Sequence, residues 1–156
     1  MITNVNDSFI NKLITVSINE AKKAYKKGDI PVAAIIFKNT DIISKAHNCT
    51  YHLRDCSLHA EMVAIRKACK KLNAHRLDGY SIFTTLEPCS MCAGAIVLAH
   101  LEKVLILTPD PKAGACGSAL SIIPNKILNH SPITIFLPQS DEYTSLLKNF
   151  FENLRK

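Results

Sequence analysis

No apolar run in this chain is long enough to cross a bilayer; the longest, residues 31–37 and 93–99, fall far short of the roughly 18 residues a membrane span needs. Residues 1–27 lack the short apolar core of a signal peptide, so nothing in the sequence points to export. There is no internal repeat, no linker and no break in composition. Nor do the fractions, 47% apolar and 21% charged, carry the bias of disordered, collagen-like or low-complexity sequence. Membrane, secreted and fibrous classes are thereby set aside. The 156 residues are expected to form one domain, 1–156, large enough to bury a core without covalent staples.

What is present is six cysteines and a formal charge of +6. In an exported protein six cysteines would read as three disulfides. Without an export signal the expectation is a cytoplasmic protein with reduced thiols, in which cysteine clusters point first to metal or catalysis. The charge, from 19 Lys+Arg against 13 Asp+Glu, permits a polyanionic partner without requiring one.

Ile10, Leu13, Ile14, Ile18, Ala21, Ala24 and Tyr25 recur at helical spacing, with Asp7 or Ser8 as the cap and Gly28 as the stop. Residues 31–38 and 42–45 are β-rich and separated by Asn39-Thr40-Asp41, which predicts a hairpin. A polar stretch, 48–57, follows. Helical spacing resumes over about 59–72, a strand is predicted at 80–86, a helix at 89–100 and a strand at 104–107. Residues 114–118 mark a loop, 132–137 a last strand, and Tyr143, Leu146, Leu147, Phe150, Phe151 and Leu154 a closing amphipathic helix. This alternation predicts an α/β fold with helices on the faces of a sheet.

The residues that carry chemistry sit at two of these helix starts: His59-Ala60-Glu61, and Pro88-Cys89-Ser90-Met91-Cys92. Cys89 and Cys92 lie roughly 60° apart around a helix, so both sulfurs can reach one ion. The positive end of the helix dipole favours the thiolates that a metal requires, and Pro88 suits the start of a helix. One imidazole and two thiolates balance the charge of Zn2+ and leave a fourth position for water, the pattern of catalytic zinc. Glu61 suits a proton shuttle beside such a site, although positions i and i+2 straddle a helix and spacing does not prove that it points inward. The pair of motifs, in this order, is the signature of zinc nucleoside and nucleobase deaminases.

Two other readings stand beside this one. A Cys-x-x-Cys alone fits a redox pair, but such a site needs no upstream His-x-Glu. Structural zinc in a non-catalytic RNA-binding module would need a fourth ligand, from Cys49, Cys56, Cys69 or Cys116, and would leave Glu61 without a role. Those four cysteines read instead as packing residues, Cys69 on the inner face of its helix, or as loop residues. His47, His52, His75, His100 and His130 read as ordinary surface or core histidines.

With these residues in place the chain resembles the bacterial tRNA adenosine deaminase family. The resemblance runs from about Ala21 onward. It is strongest over Thr85-Leu86-Glu87-Pro88-Cys89-Ser90-Met91-Cys92-Ala93-Gly94-Ala95-Ile96, with Asp110-Pro111-Lys112-Ala113-Gly114-Ala115-Cys116-Gly117-Ser118 more particular to the tRNA enzymes. It implies a three-layer cytidine-deaminase-like fold, a five-stranded mixed sheet flanked by helices, and a homodimer whose subunits complete each other's clefts. It further implies one Zn2+ per subunit held by His59, Cys89 and Cys92, and Glu61 as the proton shuttle. Asn48 and the Ala60 backbone would contact the base, Asp110 and Lys112 would approach the anticodon nucleotides, and Phe150, Phe151 and Arg155 would lie near the RNA. The implied reaction is hydrolytic conversion of adenosine to inosine at the wobble position of a tRNA anticodon arm, that of an arginine tRNA.

The chain departs from the family pattern at Asp55-Cys56-Ser57-Leu58, Leu107-Thr108-Pro109 and Ala33-Ala34, positions expected around the cleft. A deaminase of a free base or nucleoside such as guanine or cytosine shares the zinc signature and is the alternative. Two lysine-rich helix faces, Lys22, Lys23, Lys26 and Lys27 on one and Arg66, Lys67, Lys70 and Lys71 on the other, suit a phosphate backbone, though either also suits plain solvent.

Overall fold

A computed structural model describes residues 6–155; residues 1–5 and 156, which fall within the expected domain, lie outside the described residues. Helix α1 spans Asp7–Lys26, and its cap is Asn6 rather than Asp7 or Ser8: Asn6 Oδ1 accepts the Phe9 amide at 2.8 Å. The Asn6 oxygen thereby satisfies one of the free N–H donors at a helix start, while Asp7, one residue further in, suits the positive end of the dipole. Gly28, at φ +79°, takes the left-handed turn that ends the helix.

The chain then forms β1 (Ala33–Lys38) and β2 (Asp41–His47), joined through Asn39 and Thr40. The polar stretch 48–57 contains a single helical turn, α2 (Thr50–Leu53), closed by Arg54 at φ 53°. Helix α3 (Ala60–Leu72), β3 (Ser81–Thr84), α4 (Ser90–Leu98), β4 (Lys103–Ile106), β5 (Ile133–Phe136) and α5 (Asp141–Leu154) complete the order.

The five strands form one mixed sheet in the order β2-β1-β3-β4-β5, with β1 antiparallel to both neighbours and β3, β4 and β5 parallel. Alternation along each strand sends side chains to opposite faces. Ala33, Ile35, Phe37, Phe83 and Leu105 pack with Phe9, Leu13 and Ala21 of α1 and Tyr143 of α5. Ala34, Ile36, Ile82, Val104 and Ile106 pack with Ala60, Ala64 and Ala68 of α3 and Ala93, Ile96 and Val97 of α4. A strand buried on both faces reads as a continuous apolar run, which is why 31–37 is one of the longest in the chain. Each fully buried Ile or Phe here contributes about 1.5–3 kcal/mol. Because α3 and α4 share one face of the sheet, their N-terminal ends meet, and the site is built there.

Candidate active site

His59 is the N-cap of α3 and Cys89 the N-cap of α4, both in extended backbone conformation and neither bonding its own helix through its side chain. The sequence places both inside the helices; standing just ahead of them leaves the imidazole and thiol free to converge. Pro88 accordingly precedes the cap instead of entering the first turn. Cys92 lies in the first turn of α4. His59 Nδ1 is 3.6 Å from Cys89 Sγ and 3.6 Å from Cys92 Sγ. A tetrahedral ion with bonds of about 2.3 Å to sulfur and about 2.0–2.1 Å to nitrogen separates such ligands by about 3.5–3.6 Å. The donor set and its spacing therefore fit zinc. Among the described residues no other His, Cys, Asp or Glu completes this group, so Cys49, Cys56, Cys69 and Cys116 supply no fourth ligand.

All six cysteines are free. Hydrogen bonds from the Cys92 thiol and His59 hold Cys89 well below the usual thiol range, at about 4, against the desolvation of its site. Cys92, bonded to Cys89 and buried, keeps its proton more tightly than an ordinary thiol. His59 is raised, chiefly by its bond to Cys89. A divalent cation at this point would displace the shared proton, as thiolate ligation requires. Cys116, expected as a simple loop residue, is buried beside Glu87, and desolvation pushes it up to about 12, which makes it inert.

The structure resolves the orientation of Glu61. Its side chain points inward, 3% exposed, and its Oε2 has no hydrogen-bond partner in the protein. An orphaned buried oxygen calls for a partner from outside the chain. Burial pushes the carboxyl up to about 7, which suits a group that takes and returns protons near neutrality.

His59, Glu61 and Cys89 open into a cavity of about 460 Å3, within the range of small-ligand sites. One wall is the segment carrying Asn48, Thr50, Tyr51, Arg54, Asp55 and Cys56; the other carries Asp110 and Ala113. Each wall is held by a buried carboxylate. Asp29, fully buried, accepts the Tyr51 amide at 2.7 Å and the His52 amide at 3.2 Å. Glu87 serves the opposite wall.

The family model for the cytidine and deoxycytidylate deaminase zinc-binding region matches residues 7–108. The chain belongs to that deaminase family. It is 44% identical over 142 residues to the tRNA-specific adenosine deaminase of Aquifex aeolicus, covering 91% of this chain and 93% of that one. A structure from studies of A-to-I editing by tRNA:A34 deaminases at the wobble position superposes with a TM-score of 0.83 at 31% identity, over 88% of this chain and 99% of that chain. The guanine deaminase of Bacillus subtilis superposes with a TM-score of 0.61 at 29% identity, over 91% and 93% of the two chains.

Within this deaminase fold the other sequence-predicted residues divide. Asn48 lines the cavity, 5% exposed, with Nδ2 donating to Thr50 Oγ1 at 3.2 Å. Ala60 is buried behind His59, and Asp110 forms part of the wall. Lys112 is exposed and does not line the cavity, although its amide bonds Asp110 Oδ1 at 3.0 Å. Phe150 is 5% exposed and packs edge-on against Tyr25 and Phe151, while Phe151 is 41% exposed. Arg155 stands exposed at the C-cap of α5, also away from the cavity lining.

Of the departures, Asp55 and Cys56 do reach the cavity, but Leu107 and Ala33 belong to the core under α1 and α5, and Ala34 to that under α3 and α4. Asp29, Tyr51 and Arg54 went unmarked in the sequence, because no spacing connects them to the motifs, and Glu87, quoted beside Pro88 and Cys89, was given no role.

The fold also unites the two lysine groups. Lys23 and Lys45 both bond the buried Glu20, at 2.6 and 3.3 Å, while Lys67 and Lys71 donate to the β2 carbonyls of Lys45 and Ile43, each at 3.2 Å. A basic border thus runs along the edge strand, which guards the edge against pairing and offers cations to a polyanion.

Proposed function

We propose that the chain converts adenosine to inosine by hydrolytic deamination at the wobble position of a tRNA anticodon. The observation that carries this reading is the buried, unpartnered Glu61 oxygen beside the His59, Cys89 and Cys92 group, in a chain 44% identical to a tRNA-specific adenosine deaminase. His59, Cys89 and Cys92 hold one Zn2+ per subunit; when bound, zinc at such a centre lowers the pKa of water toward neutrality and supplies a nucleophile. Glu61 accepts the proton of the water that attacks C6 of adenine and delivers it to the ring nitrogen; it then takes the proton of the new C6 hydroxyl and passes it to the amine, which leaves as ammonia while the C6 carbonyl forms, so that it acts in turn as base and acid. Asn48 and the Ala60 backbone hold the base edge. Asp110 and Lys112 meet the flanking anticodon nucleotides, whose single-stranded bases can be splayed into a cavity.

Phe151 and Arg155 on α5 lie against the RNA, and the substrate is an arginine tRNA in the cytoplasm. The working form is a homodimer; the large apolar side chains left exposed on α4, Met91 and Leu98, support self-association. The test is deamination by the zinc-loaded protein of an anticodon stem-loop with adenosine at the wobble position, against free adenine, guanine, cytosine and cytidine. Inosine forms in the stem-loop alone. Turnover of guanine without turnover of RNA would overturn the substrate while leaving the centre intact.

A further inference from the structure

Glu87 lies two residues before the metal ligand Cys89 and has no place in the chemistry above. Its side chain is buried, and both its oxygens are occupied by backbone amides more than twenty residues away. Oε2 accepts the Asp110 amide at 2.9 Å; Oε1 accepts the Cys116 amide at 2.9 Å and the Ser118 amide at 3.1 Å. Main-chain bonds flank these contacts, from Glu87 N–H to the Thr108 carbonyl and from Ala115 N–H to the Pro88 carbonyl, both 2.8 Å. Residues 110–118 belong to no helix or named strand, so these bonds take the place of a ladder. Gly114 fits the same arrangement from the loop side. A Cβ there would stand 2.5 Å from Glu87 Oε2 and 2.6 Å from the Asp110 carbonyl, closer than side chains approach.

We propose that Glu87 is a positioning residue: it ties the cavity wall bearing Asp110 to the turn that carries Cys89, so that wall and metal centre hold one fixed separation. The role needs an ionised carboxylate, whose two oxygens both accept. A glutamine in its place turns an N–H2 toward at least one amide, and the loop loses a charge-assisted bond. The consequence for an RNA substrate rests on the function proposed above; the tethering of the loop does not.

The experiment compares wild type, Glu87→Gln and Gly114→Ala as zinc-loaded full chains, by zinc content, amide hydrogen exchange, and kcat and KM on the anticodon stem-loop. Glu87→Gln is expected to speed exchange across 110–118 by about tenfold or more, with strand amides such as Ile82 and Leu105 unchanged and zinc retained. In both variants KM rises about tenfold while kcat stays within about threefold, the pattern of a substrate wall displaced from intact chemistry. Gly114→Ala reaches the same result from the loop side with the carboxylate in place, and so separates positioning from charge. Wild-type exchange across 110–118 in Glu87→Gln, loss of zinc, or a fall in kcat at unchanged KM overturns the proposal. If the wild type deaminates no RNA, the substrate reading fails, and the exchange and zinc measurements alone decide the role of Glu87.

Discussion

Glu61→Gln separates what stabilises this fold from what makes it an enzyme. The side chain is 3% exposed, and its Oε2 meets no donor in the protein. Leaving one buried polar atom without a partner costs about 1–3 kcal/mol, more when it is charged. Glutamine keeps the volume and leaves a polar atom there too, but it removes the cost of ionising a buried carboxyl raised from 4.5 to about 7, so at pH 7 and above the metal-free variant is expected to be more stable than wild type by about 1–2 kcal/mol. Activity moves the other way. Loss of one positioned proton-transfer group costs about 10²–10⁴-fold, and Glu61 is used for successive transfers, so kcat falls by about 10³-fold or more. Zinc content is unchanged, because Glu61 is not among the converging ligand atoms. Urea midpoints of the metal-free proteins, metal analysis and single-turnover deamination report the three quantities. A metal-free variant less stable than wild type, or one that deaminates within about tenfold of wild type, refutes the assignment.

Other consequences are equally specific. Burial pushes the Glu20 carboxyl up, but bonds from Lys23, His47 and Lys45 outweigh it and hold Glu20 at about 2 instead of 4.5. Its contribution is therefore present above pH 4.5 and lost as pH falls toward 2. Because the lysines are half-exposed, Glu20→Gln costs about 1–2 kcal/mol at pH 6 and almost nothing near pH 2, and equal urea-midpoint shifts at both pH values contradict this. Cys89→Ala and Cys92→Ala lose zinc on dialysis whereas Cys116→Ala retains it; zinc loss from the last would reopen a four-ligand centre. Stem-loop affinity falls about tenfold or more between 50 and 200 mM salt if the basic border and α5 meet phosphates, and a salt-independent KM speaks against RNA.

The stripe of α1, the spacing of α3 and the apolar face of α5 were legible along the chain because each depends on residues three or four apart. The converging His/Cys/Cys group was legible for a related reason: His59 and the Cys89, Cys92 pair form short local motifs. Strand limits shrank, from 80–86 to Ser81–Thr84, because the chain bends at Thr85 and Leu86 toward α4, Thr85 keeping its bonds to Ala33 of β1. The single turn α2 has no apolar stripe to signal it, and it is held by Asp29 from twenty-odd residues upstream. The direction of Glu61 was open until α3 was seated against the sheet. Asp29 stands apart from every motif, and Glu87, although it adjoins Pro88 and Cys89, shows no role along the chain; only the tertiary fold brings amides to them. Strand order is non-local in the same way.

The central claim is hydrolysis at one nucleotide, and a single isotope measurement tests it most directly. The zinc-loaded protein and an anticodon stem-loop with wobble adenosine are combined in water labelled with oxygen-18, and the nucleosides are released and weighed. The account predicts inosine carrying one labelled oxygen at C6, at the wobble position and nowhere else. Unchanged adenosine, or inosine without the label, would contradict it.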